Sequence, residues 1–142
     1  MLEMAVKHNV HFDTVQMPIN VMDAHFRSFT HEVMPVALKQ GIGVLAMKTF
    51  GDNFILKSNT VQPIEALHYG LSLPVSVVIT GIDKPEILDQ ALEAARTFKP
   101  LSSTQVANLL ARTKDAASEG KFELFKTTPH FDGTAANPKW LG

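Results

Sequence analysis

The chain has 142 residues, 45% hydrophobic and 19% charged, with no cysteine and a formal net charge of −1. That length predicts one domain, and 13 basic against 14 acidic side chains leave no electrostatic footprint for nucleic acid or an anionic membrane. The lack of cysteine excludes disulfide scaffolds, thiolate metal sites and cysteine nucleophiles; no apolar run approaches the roughly 20 residues that span a bilayer, so the expectation is a soluble, cytoplasmic protein.

Met1 to Val10 carries helical spacing at Leu2, Val6 and Val10 with no capping residue before it, so it reads as the end of a helix. Glu3, Lys7 and His8 exclude a signal sequence. Phe12 to Ile19 is a strand candidate, with Phe12, Val15 and Met17 among turn formers and Pro18-Ile19-Asn20 closing it. A helix is expected from about Ser28 to Gln40, stopped by Gly41. Pro35 lies inside it, where proline costs about 3 kcal/mol, so the regular part should begin near Met34. Gly43 to Met47 is a short apolar run of the kind covered on both faces of a sheet. Residues 52–60 look like a loop, and Gln62-Pro-Ile-Glu65 then opens a helix, with proline at its first position and Glu65 facing back to the cap. Pro74 stops that helix. Val75 to Ile79 is a β-branched strand run, followed by Thr80-Gly81 and by Asp83-Lys-Pro-Glu86, read as an acidic capping box for a helix reaching Phe98. Ser102-Ser-Thr-Gln105 is a further capping box, opening a helix through Val106, Leu109, Leu110 and Ala116 before Gly120. Residues 120–142 hold Phe122, Phe125, Phe131 and Trp140 and read as an irregular tail packed by its aromatics.

The strand centres, Val15, Leu45 and Val77, are 30 and 32 residues apart with helical sequence between them. That alternation is the βα unit, and right-handed crossovers arrange such units as a parallel α/β sheet. The organisation is therefore a helix end over 1–10, three βα units over 11–99, a helix over 100–119 and the tail. Three parallel strands leave two unpaired edges and incompletely covered faces, which invite pairing with more chain. Together with the uncapped start, this predicts an incomplete domain, a truncated or partial product.

In parallel βα architectures, ligands bind at the carboxyl ends of the strands. Gln16 stands there in an otherwise apolar run: buried, its amide needs partners, either a carboxamide ligand or neighbouring backbone. Lys48 either reaches phosphate oxygens or is a plain surface lysine. Gly81 permits close approach to a helix N-terminus, an anion site for which the Asp83 carboxylate competes. His8, His11 and Asp13 are weak metal candidates because they straddle a helix end and a strand start. There is no P-loop, nucleophile elbow or GxGxxG, and Tyr69, the single tyrosine, falls inside a helix.

Phe12-Asp-Thr-Val-Gln-Met-Pro-Ile-Asn20, Gly41-Ile-Gly-Val-Leu-Ala-Met-Lys-Thr-Phe-Gly51 and Val78-Ile-Thr-Gly-Ile-Asp-Lys-Pro-Glu-Ile-Leu-Asp-Gln90 together resemble the sixth, seventh and eighth βα units of the aldo/keto reductases. The likeness spans about residues 1–118. It implies the C-terminal half of a (β/α)8 TIM barrel, incomplete because a full barrel needs about 250 residues, with helices outside parallel strands. It implies hydride transfer between a nicotinamide cofactor, NADP or NAD, and an aldehyde or ketone. By position, Gln16 matches the glutamine at the nicotinamide carboxamide. Met47 takes the place of the ring-stacking aromatic, and Lys48 and Gly51 fall near the pyrophosphate. Gly81, Ile82, Asp83, Ile87, Gln90 and Ala91 match the segment around the adenosine. Asp83 and Ile87 stand where basic residues often meet the 2′-phosphate, and Ala91 replaces a common asparagine, which leaves NAD open beside NADP. The family's catalytic aspartate, tyrosine, lysine and histidine come from the first four strands, so no catalytic residue and no metal is expected in this chain. A second reading is a non-catalytic half-barrel that self-associates or docks on a partner through its open edges. A third is a small monomeric nucleotide-binding domain.

Overall fold

A computed structural model describes residues 1–141; Gly142 and the side chains of Phe131 and Leu141 lie outside what is described. Three parallel strands, β1 (Thr14–Pro18), β2 (Gly43–Met47) and β3 (Val77–Val78), form one sheet in the order β1-β2-β3. The register pairs Gln16 with Leu45 and Leu45 with Val77, while Met17, Ala46 and Val78 form the adjacent row. Side chains alternate across a strand, so these rows lie on opposite faces. Met17 and Ala46 are buried beneath helices; Gln16 and Val77 are exposed and Leu45 is half-buried. β2 is thus covered on one face, not on both as its apolar run suggested.

The third strand is shorter than its sequence. Only Val77 and Val78 pair, flanked by hydrogen bonds from Ser76 N to the Val44 carbonyl and from Ile79 N to the Ala46 carbonyl. Pro74 on one side and Thr80-Gly81 on the other limit the extended run, and Val77 stays 49% exposed.

Local chemistry explains the helices. α1 (Leu2–Lys7) buries Ala5, while Val6 and Val10 face outward. The helix expected over 28–40 is two: α2 (Phe29–Glu32), capped by the Ser28 hydroxyl accepting from His31 N, and α3 (Met34–Lys39). They divide at Val33 because Pro35 brings no N–H and fits only a first turn. Gly41 takes φ 70°, the left-handed stop. Within the expected loop 52–60, a 3-10 turn at Ile55–Ser58 carries Ile55 into full burial. α4 (Pro63–Leu71) and α6 (Ser103–Ala117) begin with the capping boxes Gln62/Glu65 and Ser102/Gln105. α5 (Pro85–Thr97) departs from expectation: its N-cap is Lys84, with no side-chain cap, and Asp83 lies one residue too early. Pro85 opens the helix and forces the residue before it into extended backbone, φ −147° at Lys84, so the capping position falls on a residue that carries no acceptor.

Two apolar cores result. One packs Met17, Val44 and Ala46 against Met34 and Ala37; the other joins Phe50, Ile55, Leu67, Tyr69, Ala94 and Leu109 from the β2–α4 connection and α4 to α6. Each such leucine or isoleucine contributes about 1.5–3 kcal/mol through burial. The tail forms α7 (Leu124–Thr127), α8 (Gly133–Ala136) and short 3-10 turns. Its aromatics are only part of what holds it: Phe122 packs on the second core, but Trp140 is 69% exposed, and the expected contribution of Phe131 lies outside the described residues. The firm anchor is ionic. Lys126 Nζ meets Asp23 at 2.7 Å and Glu123 at 3.1 Å, and all three side chains are buried. Among the described residues, no helix is long and apolar enough to cross a membrane.

Candidate functional site

The parallel register sets Pro18, Met47 and Ile79 along one edge of the sheet, so the connections leaving all three strands open on the same side. An open groove of about 500 Å³ lies there, within the roughly 300–1,000 Å³ of ordinary small-molecule sites. Three distant segments supply its walls: Gln16 from β1; Met47 to Phe50 with Asp52 and Asn53 from the loop after β2; Ile79, Gly81 to Asp83, Ile87 and Gln90 from β3 and the start of α5.

Gln16 is exposed, contrary to the expectation that it is an amide in need of rescue from burial. It sits on the open face because β-alternation gives Met17 the covered one. Its Nε2 donates to Met47 Sδ at 3.2 Å, which fixes the amide against the floor and leaves its oxygen toward solvent or ligand. Thioether sulfur is a weak acceptor, so a ligand carbonyl would displace it at small cost.

Lys48 follows β2 in left-handed backbone, φ 57°, and Gly51, Asp52 and Asn53 are left-handed as well. Non-glycine residues hold that conformation only where surrounding contacts over-determine it, and such turns gather at binding sites. The Lys48 ammonium is paired with the Asp52 carboxylate in the groove wall. An anion entering here would compete with Asp52 for a cation already in place.

On the opposite wall, Gly81 faces open space; a Cβ placed there would meet nothing within 4 Å. It leads to the uncapped start of α5, whose first-turn amides have no side-chain acceptor. Asp83 therefore does not compete for those amides as the capping reading required. A 13-residue helix beginning this way presents partial positive charge to the groove. The Thr80 hydroxyl, one residue earlier, is buried without a hydrogen-bond partner, alone in this among the described residues.

Eight residues singled out in the sequence, Gln16, Met47, Lys48, Gly81, Ile82, Asp83, Ile87 and Gln90, thus meet in one groove. Two do not line it. Ala91 is half-buried on α5, and Gly51 is buried under the tail, where a Cβ would stand 3.0 Å from Ile55 Cγ1 and 3.1 Å from the Phe122 carbonyl. Asp52 and Asn53 were not anticipated; the four-residue spacing from Lys48 to Asp52 was the available signal. His8, His11 and Asp13 are all exposed, and among the described residues no three histidine or acidic side chains gather as a metal site.

No family model and no curated protein matches this chain.

Proposed function

We propose that the groove binds a nicotinamide dinucleotide, NAD or NADP, and that the chain is the cofactor-facing portion of an aldo/keto reductase-like (β/α)8 oxidoreductase acting on an aldehyde or ketone. The observation that carries this reading is the convergence of three segments, some 30 residues apart in sequence, on one groove at the carboxyl edge of a parallel sheet. The open, partly apolar second face of that sheet, with Leu45 and Val77 on it, suits strands that continue into a closed barrel.

The residues present fit the group by chemistry. An exposed amide at Gln16 matches a carboxamide, Lys48 and the uncapped α5 start match phosphates, and Asp83 matches ribose hydroxyls. Asp52 and Asp83 outnumber Lys48 among the charged residues of the wall, which disfavours an added 2′-phosphate and points to NAD over NADP. When bound, the cofactor supplies the hydride. Gln16 and Met47 would hold the nicotinamide, and Lys48 and the start of α5 would hold the phosphates, while the proton donor would come from other strands of the barrel.

Titration of the chain with NADH and with NADPH, followed by nucleotide fluorescence, tests the reading. Binding with NADH preferred, weakened about tenfold in Gln16→Ala by loss of about 1–1.5 kcal/mol of hydrogen bonding, is the expected result; equal affinities of wild type and variant for both nucleotides remove the assignment. The exposed strand edges support a second reading, a self-associating half-barrel without nucleotide affinity, for which native mass spectrometry would show a stable dimer.

A further inference from the structure

Asn20 stands just beyond β1, fully buried, and every polar atom of its side chain is used. Its Oδ1 accepts from Met22 N at 2.8 Å and Asp23 N at 2.9 Å; its Nδ2 donates to Glu123 Oε1 at 3.0 Å and to the Lys48 carbonyl at 3.3 Å. Glu123 in turn receives Lys126 Nζ at 3.1 Å, and the same ammonium holds Asp23 and the Phe26 carbonyl, each at 2.7 Å. A continuous buried path therefore runs from the tail to the backbone of Lys48, the left-handed residue on the groove wall. A separate contact reaches the same turn: a Cβ on Gly51, which is left-handed at φ 53°, would stand 3.1 Å from the Phe122 carbonyl, closer than ordinary contact.

Left-handed backbone at Lys48, Asp52 and Asn53 persists only if something imposes it. Within the loop, Gly51 N donates to the Lys48 carbonyl at 2.9 Å and Ile55 N to the Phe50 carbonyl at 3.2 Å, while the Lys48–Asp52 pair is partly exposed and so worth little. The side-chain hydrogen bond to the Lys48 carbonyl comes from outside the loop, from Asn20, whose amide the tail's Glu123 holds.

We propose that residues 122–126 are a strap that sets the turn from Lys48 to Asn53, with Asn20, Glu123 and Lys126 as positioning residues, and that occupancy of the groove and order in the strap are coupled. Coupling is reciprocal by linkage: a strap that improves ligand affinity is itself ordered by the ligand to the same degree. The coupling arm rests on the nucleotide reading above; the positioning arm does not.

Hydrogen exchange on the full chain tests both. Glu123→Ala removes the acceptor for Asn20, whereas Glu123→Gln keeps an oxygen there and removes the charge. Amides of 49–53 should exchange about tenfold faster in the alanine variant, the equivalent of one lost buried hydrogen bond, and return most of the way in the glutamine variant. Wild-type rates in a folded Glu123→Ala protein overturn the strap. Should that variant fail to fold, Gly51→Ala applies the perturbation from the other side with the ionic path intact. Faster exchange in 122–127 is then expected, and unchanged exchange there overturns the proposal. With NADH added, wild-type exchange in 122–127 should slow; nucleotide binding without that slowing refutes the coupling. Failure of wild type to bind either nucleotide removes the functional reading alone, and the exchange rates of the variants still decide the strap.

Discussion

Replacing Lys126 by methionine keeps most of the side chain's length and removes the cation that holds Asp23 and Glu123. The two carboxylates are not left alike. Asp23 retains four donors: Ser28 Oγ at 3.2 Å, Phe29 N at 3.0 Å, Thr30 N at 2.9 Å and Thr30 Oγ1 at 2.6 Å. Glu123 retains Asn20 Nδ2. Breaking a buried pair on one side costs about 3–5 kcal/mol, and with Asp23 still solvated by protein donors the loss should sit near the lower figure, carried by Glu123. Burial pushes the Glu123 carboxyl above its ordinary 4.5, against the pull of Asn20 and Lys126. A carboxyl raised in the folded state favours folding while protonated, below its ordinary pKa, and that contribution is lost as pH rises through the folded value. Without Lys126 the folded value climbs further, so the penalty should be small near pH 4.5 and complete by neutrality. Urea denaturation followed by circular dichroism, on wild type and Lys126→Met across that range, measures it. A loss independent of pH, or under about 1 kcal/mol at neutral pH, would refute the reasoning. Adding Glu123→Gln to Lys126→Met should recover most of the loss at pH 7.

Two further outcomes follow from single residues. Lys84 occupies an N-cap position with extended backbone and no acceptor, so Lys84→Asp should raise stability by about 1 kcal/mol in thermal denaturation; if the amides it satisfies are those that meet phosphate, nucleotide affinity should fall in the same protein. Tyr69, the chain's single tyrosine, has its phenol pushed up to about 12 by burial and by the nearby Asp23 charge. The stability this brings is complete below pH 10 and is lost as pH rises through about 12, so ultraviolet absorbance should show no phenolate until alkaline unfolding, and an ordinary titration near pH 10 in folded protein would contradict the packing around Tyr69.

Features that depend on adjacent residues were legible in the sequence. The bounds of β2, the capping boxes at Gln62 and Ser102 and the stop at Gly41 all follow from neighbours within four positions. At Asp83 the capping-box spacing and the structure part company, because the restriction proline places on the residue before it puts the N-cap at Lys84. The length of β3 and the exposure of Gln16 depend on which sheet face other chain covers, and periodicity carries no record of that. The opening of the three strand ends on one side follows from the parallel topology, which the βα spacing carries. The ionic anchor was not, since Asp23 and Lys126 are 103 positions apart and each, taken alone, is an ordinary surface residue type.

That separation has a consequence for synthesis. Asp23 meets its four nearby donors within seven positions of its own, so its carboxylate is sheltered as soon as Thr30 has been made. Lys126 emerges 103 residues later, roughly 5–20 s at ordinary translation rates. Through that interval the nascent sheet can already be assembled while the mouth of the groove stays slack. The synthesis of Lys126, not collapse of the core, is then the event that completes the buried anchor beside the groove.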